Sequence, residues 1–282
     1  MAEQIRSLDA ETLPAALFLL NETLRGTSLE AKYDAFSFMM LARFWNFSLN
    51  HSLILYVDGE PAALAMHCVD PDSHEAYNYY WGTLPKFRNL RIALTLAEAC
   101  AQKLRKDGYI SVWGDSLPER PVRRWRFVHF FPKYSLYGME VSEFQFPSAH
   151  SNLEIRTVTP DLFAGFPIPS GDGVHWCQRM KFLRHAAPFH VFLGAFRDNS
   201  LVGYAAAMLD KEIPALIDLR SVDGDLAIGY ELLRQLRIMD PRIPLRAYYV
   251  FEDSYLHRLL TDAGFQNYRQ FSLLCRDLPS TT

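Results

Sequence analysis

Hydrophobic and polar positions divide the chain into two series of similar elements. In SLILYVDGEPAALAMHCV (52–69), two apolar runs flank Asp58-Gly59. That dipeptide accepts the positive φ angles of a tight turn, so a β-hairpin is predicted. HEAYNYYWGTLP (74–85) reads as a further strand closed by Gly82 and Pro85. Strict alternation places Tyr77, Tyr79 and Trp81 on one face of it, with Asn78 and Tyr80 on the other. Ile92, Leu96, Cys100 and Leu104 then recur every fourth residue, with Ala93, Ala97 and Ala101 beside them. This is the apolar stripe of a helix, and Gly108 stops it. YISVWGDS (109–116) resumes as a short buried strand.

The second half repeats this order. HVFLGAFRDNSLVGYAAAML (190–209) predicts a hairpin turning at Asp198-Asn199, IPALIDLRSV (213–222) a strand, GDLAIGYELLRQLRIMD (224–240) a helix ended by Pro241, and LRAYYVFEDS (245–254) a strand. Asp115-Ser116 and Phe127 match Asp253-Ser254 and Phe265 at one offset of 138 (115 to 253, 127 to 265). Tyr134-Ser135-Leu136 matches Phe271-Ser272-Leu273 at an offset of 137 (134 to 271). A shared offset together with a shared element order indicates an internal duplication. SEFQFPSAHSNLE (142–154) reads as the crossover between units over 1–147 and 153–282. The order of elements implies an α/β class, with a mixed sheet flanked by helices in each unit.

Composition narrows the picture. The 282 residues are 49% hydrophobic and 14% aromatic, enough to build packed cores. A net charge of −3 gives no polyelectrolyte character, and nucleic acid is not an expected partner. Cys68, Cys100, Cys177 and Cys275 are far apart and form no CxxC pair, which predicts free thiols in a reducing compartment. The opening MAEQIRSLDAETLP lacks a signal-peptide pattern, and no apolar run is long enough for a membrane span. A soluble, cytoplasmic protein without a membrane partner is expected; a homodimer is compatible with the sequence. The nine histidines show no HExxH or similar spacing, so no metal is expected. His175 and Cys177 lie two apart, and on a helix such residues do not face each other, so a thiol–histidine pair is not expected.

The strand–turn–helix at the centre of each unit resembles the GNAT superfamily of acyl-CoA-dependent N-acyltransferases, and the whole chain resembles bacterial proteins carrying two such units in tandem. KYDAFSFMMLARFWNFSLNHSLILYVDGEPAALAM (32–66) is similar to the opening helices and first hairpin of a unit, and GTLPKFRNLRIALTLAEACAQKLRKDGY (82–109) to the coenzyme segment. PIPSGDGVHWCQRMKFL (167–183) resembles the Trp-Gln segment of some tandem members, and DSYLHRLLTDAGF (253–265) the last helix with its Gly-Phe ending. The resemblance implies two GNAT-like units, each a mixed, mostly antiparallel sheet, with acetyl-CoA or another acyl-CoA as cosubstrate. The acceptor would be the amine of a small molecule or peptide.

The family's phosphate motif is Gln/Arg-x-x-Gly-x-Gly/Ala, whose small residues let a pyrophosphate approach the N–H groups at a helix start. The resemblance assigns Leu84, Arg88, Asn89, Leu90, Arg91, Ile92 and Ala93 to coenzyme binding. Arg88 and Ala93 match the outer positions, while Arg91 takes the central glycine's place. Its side chain either blocks the approach or swings outward and adds charge beside the phosphates. In the second half the equivalent segment, Val222 to Ala227, carries Asp223 and Asp225. Those carboxylates suit a helix start but repel a pyrophosphate, so the second unit is expected to bind no coenzyme. Many family members place an acidic tyrosine a few residues before Gly-Phe; the aligned residues here are Val122 and Leu260, which donate no proton. Asp115 as base, with Tyr134 and Tyr137 as nearby hydroxyls, are the substitutes. Each also has a structural reading, Asp115 as a helix cap and the tyrosines as packing residues. Arg120, Arg123, Arg124 and Arg126 form either a solvated helix face or a contact for the coenzyme's 3′-phosphate. The missing acid leaves a second class open, a catalytically inactive GNAT-fold module that binds a ligand or partner.

Overall fold

A computed structural model describes residues 2–27, 31–88, 90–116, 125–146, 152–167, 173–209, 212–242 and 244–279. The elements in chain order are β1 (Glu3–Ser7), α1 (Leu13–Leu24), α2 (Ala35–Trp45), β2 (Leu53–Val57), β3 (Glu60–Asp70), β4 (Glu75–Thr83), α3 (Leu90–Lys106), β5 (Ser111–Ser116), β6 (Phe131–Val141), β7 (Glu154–Thr157), α4 (Met180–His185), β8 (Val191–Arg197), β9 (Ser200–Met208), β10 (Ala215–Ser221), α5 (Leu226–Met239), β11 (Leu245–Phe251), α6 (Tyr255–Asp262) and β12 (Gln266–Asp277). No helix among the described residues is long and apolar enough to cross a membrane.

Both predicted hairpins turn where the sequence placed them. Val57 pairs with Glu60 across Asp58 (φ 49°) and Gly59 (φ 83°), and Arg197 pairs with Ser200 across Asp198 (φ 50°) and Asn199 (φ 63°). Two successive positive φ angles twist the turn with the hand of the flanking strands. The predicted helices and central strands are also present. Two edge strands, β1 and β7, carry no sequence signal, because EQIRS and EIRT are short and mostly polar on both faces.

The chain forms two compact units, one of Met1–Lys133 with Ser272–Thr282, the other of Tyr134–Phe271. The strand order of the first is β1-β2-β3-β4-β5-β12, and that of the second is β7-β8-β9-β10-β11-β6. Pairing is antiparallel throughout the first unit except for the parallel pair β4–β5. In the second unit the parallel exception is β10–β11. The two orders correspond strand for strand. This division differs from the linear one at 147 and 153. The strand that follows the first series pairs with β11 in the second unit, and the last strand of the chain pairs with β5 in the first. Each unit is completed by a strand from the other series. Register and edge chemistry decide such pairing, and neither is visible in element order.

In the first unit, α1 and α2 cover one sheet face, packing Leu19, Leu20 and Phe38 on Ile54, Leu64 and Met66. On the other face, α3 packs Ile92, Leu96 and Cys100 on Leu53, Leu55, Ala63 and Ala65, and Ala97, Ala101 and Leu104 on Ala76, Val112 and Leu274. Arg276 of β12 ties the strand to α3: its Nη1 donates to Ala97 O at 3.3 Å and its Nη2 meets Glu98 Oε1 at 2.8 Å. The second unit has its own core, in which Leu232, Leu233 and Leu236 of α5 and Leu259 and Leu260 of α6 meet Leu216, Leu219 and Ala247 of the sheet.

Strict alternation in β4 does not hold. Met66 pairs with Tyr80 and His67 with Asn78, so Tyr79 is an extra residue in a β-bulge. Downstream positions change face. Tyr79 and Tyr80 pack with the core under α1 and α2, and Trp81 joins the cores under α3. The second unit bulges at the equivalent place: Leu216 pairs with Ala207 and Asp218 with Ala206, leaving Ile217 extra. Tyr79 and Ile217 are 138 apart (79 to 217), the offset that relates the two halves of the sequence.

Candidate functional site

The bulge opens the first sheet. β4 and β5 pair over four rows only, from Glu75–Ser111 to Asn78–Gly114. Beyond that row β4 continues to Thr83 and β5 to Ser116, each paired on its outer side, to β3 and β12 respectively. The parallel neighbours therefore diverge from Asn78 and Gly114 onward. β4 then leads through a 3₁₀ turn at Pro85–Phe87 into the first turn of α3.

The segment predicted for coenzyme binding divides by role. Leu84 is 5% exposed in the core under α1 and α2, and its N–H donates to Ala62 O at 3.0 Å. Ile92 is 2% exposed against β2 and β3. Both side chains therefore belong to the packing beneath the segment. Arg88 is exposed and its Nε donates to Thr83 O at 3.2 Å. Arg91 is 73% exposed, with Nε 3.5 Å from Glu3 Oε1 of β1. Such a surface pair holds the guanidinium by about 1 kcal/mol or less. Ala93 is half-buried beside the core under α3, Leu90 opens the helix, and Asn89 lies outside the described residues. Helix geometry directs the N–H groups of this first turn out of the N-terminal end of α3, where its dipole is positive.

Asp115 stands on β5 just past the last row paired with β4. Its Oδ2 accepts a hydrogen bond from Tyr77 Oη at 2.5 Å. Tyr77 pairs in register with Trp113, so it and Asp115 share the α1–α2 face. Its ring stacks on Trp45 of α2, with centroids 6.3 Å apart and planes 12° apart. Trp45 and Phe47 also contact Tyr79, at 4.7 and 4.9 Å. One diagonal row back, Trp113 Nε1 donates to Glu75 Oε1 at 2.7 Å. Burial pushes the Tyr79 hydroxyl well above the usual phenol range, so it stays protonated. Tyr77 is a partner of Asp115 that periodicity missed. Alternation identifies it only as an aromatic on a face; the diagonal contact requires the β4–β5 register.

Tyr134 and Tyr137 belong to the second unit, in β6 beside β11, and Asp115 to the first. Tyr134 is 50% exposed, edge-on to Phe251 at 5.5 Å. Tyr137 Oη donates to Glu252 at 2.7 Å, a bond that raises its pKa, and its ring stacks on His257 at 5.3 Å. The three residues proposed together from sequence are thus divided between the units, because β6 crosses to the second sheet.

In the second unit the equivalent places are filled by the chain itself. Asp225 caps α5, its Oδ1 accepting from Ala227 N at 2.9 Å, and the carboxylate occupies the end of the helix where an anion would bind. Gln178 Nε2 donates to O of the bulge residue Ile217 at 3.1 Å. Past the bulge, Asp218 and Arg220 form a buried ion pair at 2.9 Å, with Tyr204 Oη donating to Asp218 at 2.6 Å. These side chains are 5% exposed or less. Leu260 is fully buried in the core, and Val122 lies outside the described residues, as do Arg120, Arg123 and Arg124. Arg126 is exposed.

Contrary to the helix-based expectation, His175 and Cys177 do meet: Nδ1 and Sγ are 3.1 Å apart. His175 is the cap of a 3₁₀ turn (Trp176–Gln178), so its ring folds over the residues that follow it. Both are sealed from solvent, at 0% and 3% exposed, and the His175 ring stacks on Tyr249 at 3.8 Å. All four cysteines are buried and none is in a disulfide. Among the described residues no group of three or more His, Cys, Asp or Glu is arranged to hold a metal ion.

The model of the Acetyltransferase (GNAT) family matches residues 18–124, which contain α2 through β5 and the opening between β4 and β5. No curated protein matches the chain in sequence. Solved structures match it along its whole length. A GCN5-related N-acetyltransferase from Sphaerobacter thermophilus is 14% identical, with a TM-score of 0.67 over 99% of this chain and 98% of that one. A tandem GNAT protein from the clavulanic acid biosynthesis pathway is 12% identical, with a TM-score of 0.67 over 100% of both chains. A GCN5-related N-acetyltransferase from Anabaena variabilis is 12% identical, with a TM-score of 0.63 over 99% of this chain and 73% of that one. The chain therefore has the fold of the GNAT acetyltransferases, with a mixed α/β sheet and flanking helices in each of two units.

Proposed function

We propose that the first unit is an acyl-CoA-dependent N-acyltransferase that moves an acyl group, acetyl in the simplest case, to an amine of a small molecule or peptide. The observation that carries this reading is the divergence of β4 and β5 beyond Asn78 and Gly114, with Asp115 beside it and the first turn of α3 beginning seven residues beyond the end of β4 (83 to 90). The coenzyme supplies an activated thioester. Backbone amides between Arg88 and Ala93 would hold its pyrophosphate. The residues suit an anion there, since Ala93 is small, Leu84 and Ile92 face inward, and Arg91 is tethered only weakly and can turn to the phosphates. The reaction needs a neutral amine. Asp115 takes one proton from the ammonium form and passes it to solvent. The nitrogen then bonds to the acyl carbon as the carbon–sulfur bond breaks, and the second nitrogen proton ends on the thiolate. A thiolate leaves well enough for positioning to supply much of the rate, so a valine at 122 in place of the family's tyrosine does not exclude catalysis. The second unit has a structural role, since Asp225 and Gln178 fill the equivalent places.

Thermal unfolding with and without acetyl-CoA tests the reading. Coenzyme at 100 times its dissociation constant is expected to add about 2.7 kcal/mol. Ala93→Glu sets a carboxylate against the phosphates and is expected to remove the shift. If millimolar acetyl-CoA leaves the unfolding midpoint unchanged, the fold serves as a binding module for another ligand or partner.

A further inference from the structure

Away from the opening between β4 and β5, Ser48, His51 and Asp107 form a hydrogen-bonded relay in the first unit. Ser48 Oγ is 2.6 Å from His51 Nδ1, and His51 Nε2 is 2.8 Å from Asp107 Oδ2. A carboxylate only accepts, so Nε2 carries the proton of the neutral ring. Nδ1 is then bare and accepts from the Ser48 hydroxyl. Burial lowers the His51 pKa against the pull of Asp107, and Lys103 lowers it further, so the ring is neutral at pH 7 and able to take a proton. The relay runs from the interior outward. The His51 side chain is 9% exposed, with the Tyr109 ring edge-on to it at 5.2 Å, and that of Asp107 is 36% exposed. Ser48 is half-buried and opens a turn whose next residues, Leu49 and Asn50, are exposed. No described carbonyl takes up the N–H groups of those two residues, and they are the donors available to an oxyanion beside Ser48. Buried β3 fixes the turn: Ser48 N donates to His67 O at 2.8 Å, His67 Nδ1 to His51 O at 2.9 Å and His67 N to Ser52 Oγ at 3.0 Å. Asp107 follows the last turn of α3, at the far end from Arg91 (91 to 107), about 24 Å along a helix.

We infer that Ser48 is the nucleophile of a second active site, which hydrolyses carboxylic esters of small acyl groups with His51 as base and Asp107 as the residue that positions it. Ser48 Oγ bonds to the acyl carbon as its proton passes to His51 Nδ1. The ester carbon–oxygen bond breaks, and Nδ1 gives the proton to the departing alcohol or phenol oxygen. Water then attacks the acyl-serine. Its proton goes to Nδ1 and on to Ser48 Oγ, and a carboxylic acid leaves. The inference does not depend on the acyltransferase reading, which uses none of these three residues.

A fluorophosphonate probe and p-nitrophenyl acetate test it on the full chain. The probe is expected to label Ser48, located by peptide mass spectrometry, and the ester to be hydrolysed without coenzyme. Ser48→Ala is expected to lose both. His51→Gln is expected to slow labelling about 100-fold, the worth of a positioned base. Asp107→Asn is expected to slow it by a similar factor and Asp107→Glu to recover part of the rate, a rescue that loop bracing alone does not produce. If Ser48→Ala does not fold, Ser48→Cys supplies the readout: its alkylation by iodoacetamide at pH 7 is expected to be about tenfold slower in a His51→Gln background, since the neighbouring ring no longer favours the thiolate. A parent protein that takes no label, a label on another residue, or folded His51→Gln that reacts at the parent's rate overturns the inference and leaves Ser48, His51 and Asp107 as a brace between the turn and α3.

Discussion

Among single residues, His67 shows how the first sheet depends on protonation. It is 1% exposed on β3, where Nδ1 donates to His51 O at 2.9 Å and Nε2 accepts from Asn78 Nδ2 at 3.2 Å. That arrangement suits one neutral tautomer. Burial pulls the pKa from 6.5 down to about 4. The unfolded chain takes up this proton at a higher pH than the folded one does. The stability contribution is therefore complete above pH 6.5 and is lost as the pH falls toward 4. His67→Gln, which cannot titrate, is expected to flatten the fall in unfolding free energy between pH 7 and pH 5 by about 2 kcal/mol. Urea titrations at the two pH values measure this; equal slopes in the two proteins would show that His67 is not the titrating group. Nothing in the sequence marks this role, because a histidine within an apolar run reads the same whether its ring is paired or merely enclosed. Arg91 is the reverse case. Its departure from the phosphate motif is plain in the sequence, but only the contact with Glu3 shows which way the side chain goes.

At the level of elements, hairpins and helices were legible because each is specified within a few residues of itself. Asp58-Gly59 and Asp198-Asn199 set their turns, and the stripe from Ile92 to Leu104 is buried as its spacing requires. The bulges at Tyr79 and Ile217 were not legible, since an extra residue is defined only against a partner strand. The same limit hid β12 as the sixth strand of the first sheet. Leu274 of β12 is 0% exposed between Ala76, Val112 and the alanines of α3. Leu274→Ala is expected to destabilise the first unit by about 3 kcal/mol through lost burial and a residual cavity. Denaturant unfolding followed by Trp113 and Trp125 fluorescence would detect it. A change below about 1 kcal/mol would mean that the strand is not a core element of that sheet.

For the whole molecule, the exchange of final strands has a direct consequence. A fragment ending at residue 147 carries every element of the first series but lacks β12, leaving the β5 edge without its antiparallel partner. Exposed edges of this kind invite aggregation. The fragment 1–147 is expected to be poorly soluble and to lack a cooperative transition, and residues 266–282 appended through a flexible linker are expected to restore both. A cooperatively folded 1–147 would show that the linear division is enough. The sequence by itself determined the two series, their common offset, their hairpins and helices and the GNAT resemblance, since turn chemistry and apolar spacing act over neighbouring residues. Tertiary structure alone decided which strand completes which sheet, where β4 and β5 part, and that Tyr77 reaches Asp115. Each of these depends on pairing between segments far apart in the chain, and the free energy of such pairing belongs to the contact between them.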